Sequence, residues 1–146
     1  MAEPTPSAIC DDMVDTLKDA IPELLNRIVY GPPEKTPQAL CVWLDYGPVE
    51  IEWGLMEVCN HTITATVAVN RKGDYPGEYR VVTDYAQAVK KAMYGNYVLA
   101  DEAVIVGAAV NRATGSAYAG EPDALVAATV IFTVETKADY RAIAQE

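Results

Sequence analysis

Phenylalanine, tryptophan and histidine are scarce: phenylalanine and histidine each occur once and tryptophan twice in 146 residues. The hydrophobic fraction is nonetheless 51%, because alanine supplies 22 residues and valine 17. Such a core must be built from small and β-branched side chains, which fit pleated surfaces. Cysteine is also sparse. Cys10, Cys41 and Cys59 are an odd set without CxxC spacing, which excludes a disulfide framework and a zinc knuckle. Free thiols in a reducing compartment are expected, with Cys41 and Cys59 inside apolar runs. No run of about 20 apolar residues occurs, so no membrane-spanning helix is expected. Residues 1–10 lack the basic start and apolar stretch of a signal peptide.

Positive charge is the third scarcity. Eleven Lys and Arg face 21 Asp and Glu, for a net charge of −10. Residues 1–60 carry −8 of it and residues 61–146 only −2. Binding to duplex DNA needs clustered cations that displace phosphate counterions, and none is present. A surface that DNA passes without being gripped remains compatible with this charge. One domain is expected from the length, large enough to bury a core without staples.

Along the chain, residues 1–8 read as a flexible N-terminal segment, with Ser7 as a candidate helix cap and Asp11 and Asp12 in the first turn. Ile9, Met13, Leu17, Ala20, Ile21, Leu24, Leu25 and Ile28 recur at helical spacing. They predict a helix over 9–29, broken at Pro22. GPPEKTPQ (31–38) reads as a rigid linker. ALCVWLD (39–45) reads as a buried strand, Tyr46-Gly47-Pro48 as a turn and 49–53 as a short half-exposed strand. In 57–69, Ile63, Ala65, Val67 and Val69 alternate with Thr62, Thr64, Thr66 and Ala68, predicting a long strand with one buried and one Thr-coated face. After a loop at 70–77, Val82, Tyr85, Ala86, Val89, Ala92 and Met93 give a helix over 78–94, with Lys90 and Lys91 in its last turn and Gly95 ending it. A strand follows over 98–110, its apolar side taken as Val104, Val106, Ala108 and Val110. Then come a 13-residue loop (111–123), a last strand (124–135) and a charged tail (137–146). The expected fold is α+β: a mostly antiparallel sheet of about four strands, two helices packed on one face, in a single domain over 9–136.

Catalytic patterns are missing. His61 sits in an alternating strand, where surface or interface placement is the ordinary reading. There is no HExxH and no Ser-His-Asp signature. A Cys59–His61 pair would share a strand face but lacks an oxyanion loop. Gly115 and Gly120 form no phosphate-cradling loop. Asp11, Asp12, Asp15, Asp19 and Glu23 form an acidic helix face best read as solvated. Asp101 and Glu102 are adjacent and so point apart on a strand. No enzyme and no cofactor is expected. Association is: nine tyrosines are spread mostly through loops and helix ends, and long strands with few charges leave edges that invite pairing.

The arrangement resembles a known family. An amphipathic helix runs into Arg27-Ile28-Val29-Tyr30-Gly31-Pro32-Pro33. A proline-punctuated linker then ends at Thr36-Pro37. The strand ALCVWLD, a long Thr/Val strand, a helix over Tyr79–Tyr94 and two closing strands around a polar loop complete it. This is similar to the tail terminator (tail completion, or minor tail) proteins of long-tailed bacteriophages, and the similarity covers most of 9–135. It implies a structural virion protein of the tail or neck, assembled in the host cytoplasm. Six copies would form a ring that caps the tail tube, stops its polymerisation and docks the head through connector and neck proteins. DNA would cross the lumen without sequence-specific contact. No catalytic residue comes with the resemblance. Pro22 and the strand at 49–53 depart from the pattern, so another neck, head-completion or tail-tube-like protein stays open. So does a small ligand-binding domain. The interaction residues expected are Arg112, Tyr118 and Glu121 in the long loop, and Arg71, Lys72 and Asp74 in the loop before the second helix.

Overall fold

Local chemistry shortens the first helix at one end and lengthens it at the other. In the computed structural model, which describes residues 4–32, 39–54, 56–70, 75–100, 102–113 and 125–138, helix α1 spans Pro6–Ala20. Thr5, not Ser7, is the cap: its hydroxyl accepts from the Ala8 amide at 3.1 Å, and Pro6 fills the first turn, where an amide would have no partner. Asp11 and Asp12 consequently lie beyond the first turn. Ile9, Cys10, Met13, Val14 and Leu17 form the buried stripe. Pro22 does more than break this helix. Lacking an amide hydrogen, and with a ring that crowds the preceding turn, it ends α1 and starts a short 3-10 turn, Pro22–Leu24. Ile28 is then buried as the first residue of a strand, β1 (Ile28–Tyr30), which corrects the expected helix over 9–29.

The two strands expected at 39–45 and 49–53 are one, β2 (Cys41–Glu52). Tyr46-Gly47-Pro48 makes an irregularity within it, with Gly47 at φ +112° and a cis Gly47–Pro48 bond. β3 (Glu57–Asn70) follows, then α2 (Tyr75–Tyr94), which begins three residues earlier than its periodicity indicated. The segment expected as one strand over 98–110 is divided into β4 (Val98–Leu99) and β5 (Ala103–Ala113) by a tight turn at Ala100. β6 (Leu125–Ala138) is the last element.

Among the described residues the sheet has six strands in the order β1-β2-β3-β6-β5-β4. It is curled like a half-barrel and mixed: β1 runs parallel to β2, and every other pairing is antiparallel. This overturns the expected mostly antiparallel sheet of about four strands. The additions are the three-residue β1 and the two-residue β4, too short to show a period of two. The two helices do share one face, as expected. Ile9, Met13 and Leu17 of α1 and Val82, Ala86, Val89 and Met93 of α2 pack with Val42, Leu44, Ile63, Ala65, Val67, Val130, Phe132 and Val134.

On β5 the expected apolar side is half wrong. The register shifts between Ile105 and Gly107, so Val106 is an extra residue and more than half exposed. Ile105 reaches the core below the bulge, and Ala108 packs against it above.

Candidate interaction surface

Three surfaces stand out on this scaffold. The first is the sheet face turned away from the helices. Register partners there are Thr62 with Thr133, Thr66 with Thr129 and Thr64 with Ile131, a carpet of hydroxyl and small apolar groups. A small cluster of Trp43, Ala68 and Ala127, with Cys41 against it, anchors one end. Lys137 pairs with Glu135 at 3.4 Å toward the other.

The second is a polar cluster on the helix-facing side. Alternation along β3 brings Glu57, Cys59 and His61 to that face beyond the apolar stretch that starts at Ile63. His61 is only 5% exposed, which corrects the surface placement expected for it. Its Nδ1 meets the Tyr46 hydroxyl at 2.5 Å and its Nε2 meets Thr136 Oγ1 at 2.7 Å. The Cys59 thiol donates to Glu57 Oε1 at 3.4 Å. Buried polar atoms need such partners; neighbouring strands supply those of His61, and β3 itself supplies that of Cys59. Among the described residues no group of three His, Cys, Asp or Glu side chains is disposed to hold a metal ion. Elsewhere, burial pushes the Cys10 thiol up to about 11 against the lowering effect of its hydrogen bond with Tyr30, with Asp11 adding a further upward push. Burial raises Cys41 to about 11 as well, partly offset by Arg27. Thiols held in the protonated form are poor nucleophiles.

The third surface is the pair of lateral edges. At one edge β1 covers the Val42–Leu44 stretch of β2, and among the described residues Val49–Glu52 have no strand neighbour on that side. Val29, Tyr30, Val49, Ile51 and Trp53 are exposed there, Trp53 at 71%. At the other edge β4 pairs with Ala103 and Val104 of β5, and among the described residues no strand pairs with the rest of that side. Tyr94, Tyr97, Val98, Val106 and Val110 are exposed along it. Large apolar side chains beside open ladder groups mark a surface suited to association.

Of the residues expected to carry interaction, Arg71, Lys72, Asp74, Tyr118 and Glu121 lie outside the described residues. Arg112 is placed: its backbone belongs to β5, opposite Ala128 of β6, in the stretch of β5 beyond the residues that β4 pairs with. It is therefore a strand-edge position and not a loop residue. The edge apolars were the missed signal. Val49, Ile51 and Trp53 alternate with glutamates in the sequence, yet nothing local tells an interior strand from an edge.

No protein-family model and no curated protein matches the chain. Among solved structures, a chain described as "Virion of native gene transfer agent (GTA) particle" is similar, with a TM-score of 0.51 at 14% identity, over 90% of this chain and 96% of that one. At that identity the likeness is one of fold, and it extends over nearly the full length of both chains.

Proposed function

We propose that this chain is a structural virion protein of a phage-like particle, acting as a tail terminator without enzymatic activity. Six copies form a ring that sits on the last ring of the tail tube, hides its polymerising edges and presents the other face to the neck proteins and the filled head. Its mechanism is steric. DNA crosses the lumen without sequence-specific binding, helped by the net charge of −10, which repels phosphate. The observation that carries this reading is the full-length likeness in fold to a virion component, on a sheet whose two lateral edges expose apolar side chains. A ring of identical subunits buries such edges by closure.

Two measurements test it. Electron microscopy of the purified protein should show closed six-fold rings with a central pore, and these rings should bind tail tubes. A null mutant should produce over-long tails. Normal tails lying apart from DNA-leaking heads would assign the protein to head completion instead. Monomers at high concentration that ignore tail tubes would remove the terminator reading.

A further inference from the structure

The two sheet edges are stepped, and the steps are complementary. Following register partners across the sheet, Tyr30 of β1 leads to Leu44, Ala65, Val130 and finally Val110 of β5. Among the described residues that row crosses five strands and stops at β5, because β4 does not extend so far. Farther along the sheet, Glu50 of β2 leads to Asn60, Glu135, Val104 and finally Val98 of β4. That row also crosses five strands, and it starts at β2, because β1 does not extend so far. One edge thus projects by a strand at the end of the sheet where the other is recessed, and the reverse holds at the opposite end.

We propose that copies of this chain join by fitting these steps together, the β1–β2 edge of one against the β5–β4 edge of the next, without an axial shift. The proposal deepens the ring reading and rests on it. Strand directions agree with it. β2, β3, β6 and β5 alternate, and β1 runs with β2, so β1 meets the neighbour's β5 antiparallel. β4 runs opposite to β5, so it meets the neighbour's β2 parallel. Both ladders are ordinary.

The side chains at the row ends agree too. Tyr30 and Val110 close the same row, share the helix-facing side and are 42% and 43% exposed. Val49 leads through His61 and Val134 to Ile105, whose amide donates to the Tyr97 carbonyl at 2.8 Å, so Val49 and Tyr97 close another row. They are 36% and 55% exposed. Fitting the steps sets Tyr30 beside Val110 and Val49 beside Tyr97, and covers all four. A second copy is the occupant because the two halves of the fit belong to the same chain. Such a head-to-tail contact repeats around an axis and closes when the rotation allows.

Paired cysteines test the row assignment. Tyr30→Cys and Val110→Cys are introduced together into a chain carrying Cys10→Ala, because that thiol lies against Tyr30, and Cys41→Ser, then oxidised mildly and run on non-reducing gels. Residues on the same row of two neighbouring strands, about 4.8 Å apart in either kind of ladder, approach closely enough for a disulfide. The expected result is a ladder at multiples of 15.8 kDa, absent from each single variant and from Tyr30→Cys paired with Val98→Cys, which lies on another row. Val49→Cys with Tyr97→Cys supplies an independent pair should the first variant fold poorly, as judged by circular dichroism. Wild-type rings in the microscope with no ladder from either pair would overturn the edge assignment and leave the ring standing. Monomeric wild type in light scattering would overturn both.

Discussion

Asp12 of α1 accepts a hydrogen bond from the Ala100 amide at 2.7 Å, across 88 positions of sequence. Ala100 has φ +50° in the tight turn between β4 and β5, a conformation that costs an L-residue about 1–2 kcal/mol. The carboxylate at that amide anchors the turn to α1, and so fixes the β4 step at the sheet edge. One aspartate of the acidic helix face is therefore structural, although the composition reads all of them as solvated. Asp12→Ala should lower stability by about 1–3 kcal/mol in urea unfolding, because a partly buried amide loses its charged acceptor. Asp12→Asn, which keeps an acceptor oxygen, should cost less. A loss below 0.5 kcal/mol for Asp12→Ala would deny the anchor any weight, on the usual scale of surface substitutions.

The Tyr46–His61–Thr136 chain should behave as a satisfied buried network. Thr136→Val keeps the shape and removes the hydroxyl that faces His61 Nε2, for an expected loss of about 1–3 kcal/mol. Thr62→Val, on the opposite, half-buried face of β3, should change stability by less than about 0.5 kcal/mol. Chemical denaturation of both variants gives the comparison. Equal effects would mean the His61 contact contributes nothing.

Phe132 is fully buried in β6, opposite Ile63 on one side and Ala108 on the other. A core otherwise dominated by small residues has little volume with which to refill its place. Phe132→Ala should cost about 3–5 kcal/mol, and Phe132→Leu clearly less. Thermal and urea midpoints of the two variants report this directly.

The thiols make stability depend on alkaline pH. Cys10 is raised from 9.0 to about 11, chiefly by burial. Below pH 9 the thiol is protonated both folded and unfolded, and its full contribution is present. Between about pH 9 and 11 the unfolded chain loses the proton and the folded chain keeps it, so stability falls as pH rises, by up to about 1.4 kcal/mol per pH unit. Cys41, partly buried, shifts the same way, and its partial contact with solvent screens the effect. Urea unfolding from pH 8 to 11 should show the decline, and Cys10→Ala should flatten it. An identical slope in that variant would assign the decline to other groups.

Much of the fold was legible locally. Alternation in 57–69 placed Ile63, Ala65 and Val67 in the core, and helical spacing placed Val82, Ala86, Val89 and Met93 there, as observed. These elements are long, and each presents a full period to one buried face. Misreadings fell where a neighbour decides. Ile28 suits the last turn of a helix as well as a strand, and pairing with Val42 made it β1. Val106 suits either face of β5 until the bulge removes it from the register. His61 reads as a surface residue until Tyr46 and Thr136 converge on its ring. Of the candidate interaction residues Arg112 alone falls among the described ones, and it is a strand position because β5 continues to Ala113.

By itself the sequence determined the chemistry of this protein: an Ala/Val core, a net charge of −10 concentrated in residues 1–60, strands with one Thr-coated face, and no recognisable catalytic arrangement. Those properties follow from side-chain type and short-range period, which act wherever the chain goes. Only the tertiary structure decided which strands are interior and which are edges. Edge status depends on partners far apart in sequence, such as β3 with β6 and Asp12 with Ala100. The acidic, small-residue composition thereby gains a location: the Thr face, the buried His61 cluster and two stepped, apolar edges of one curled sheet.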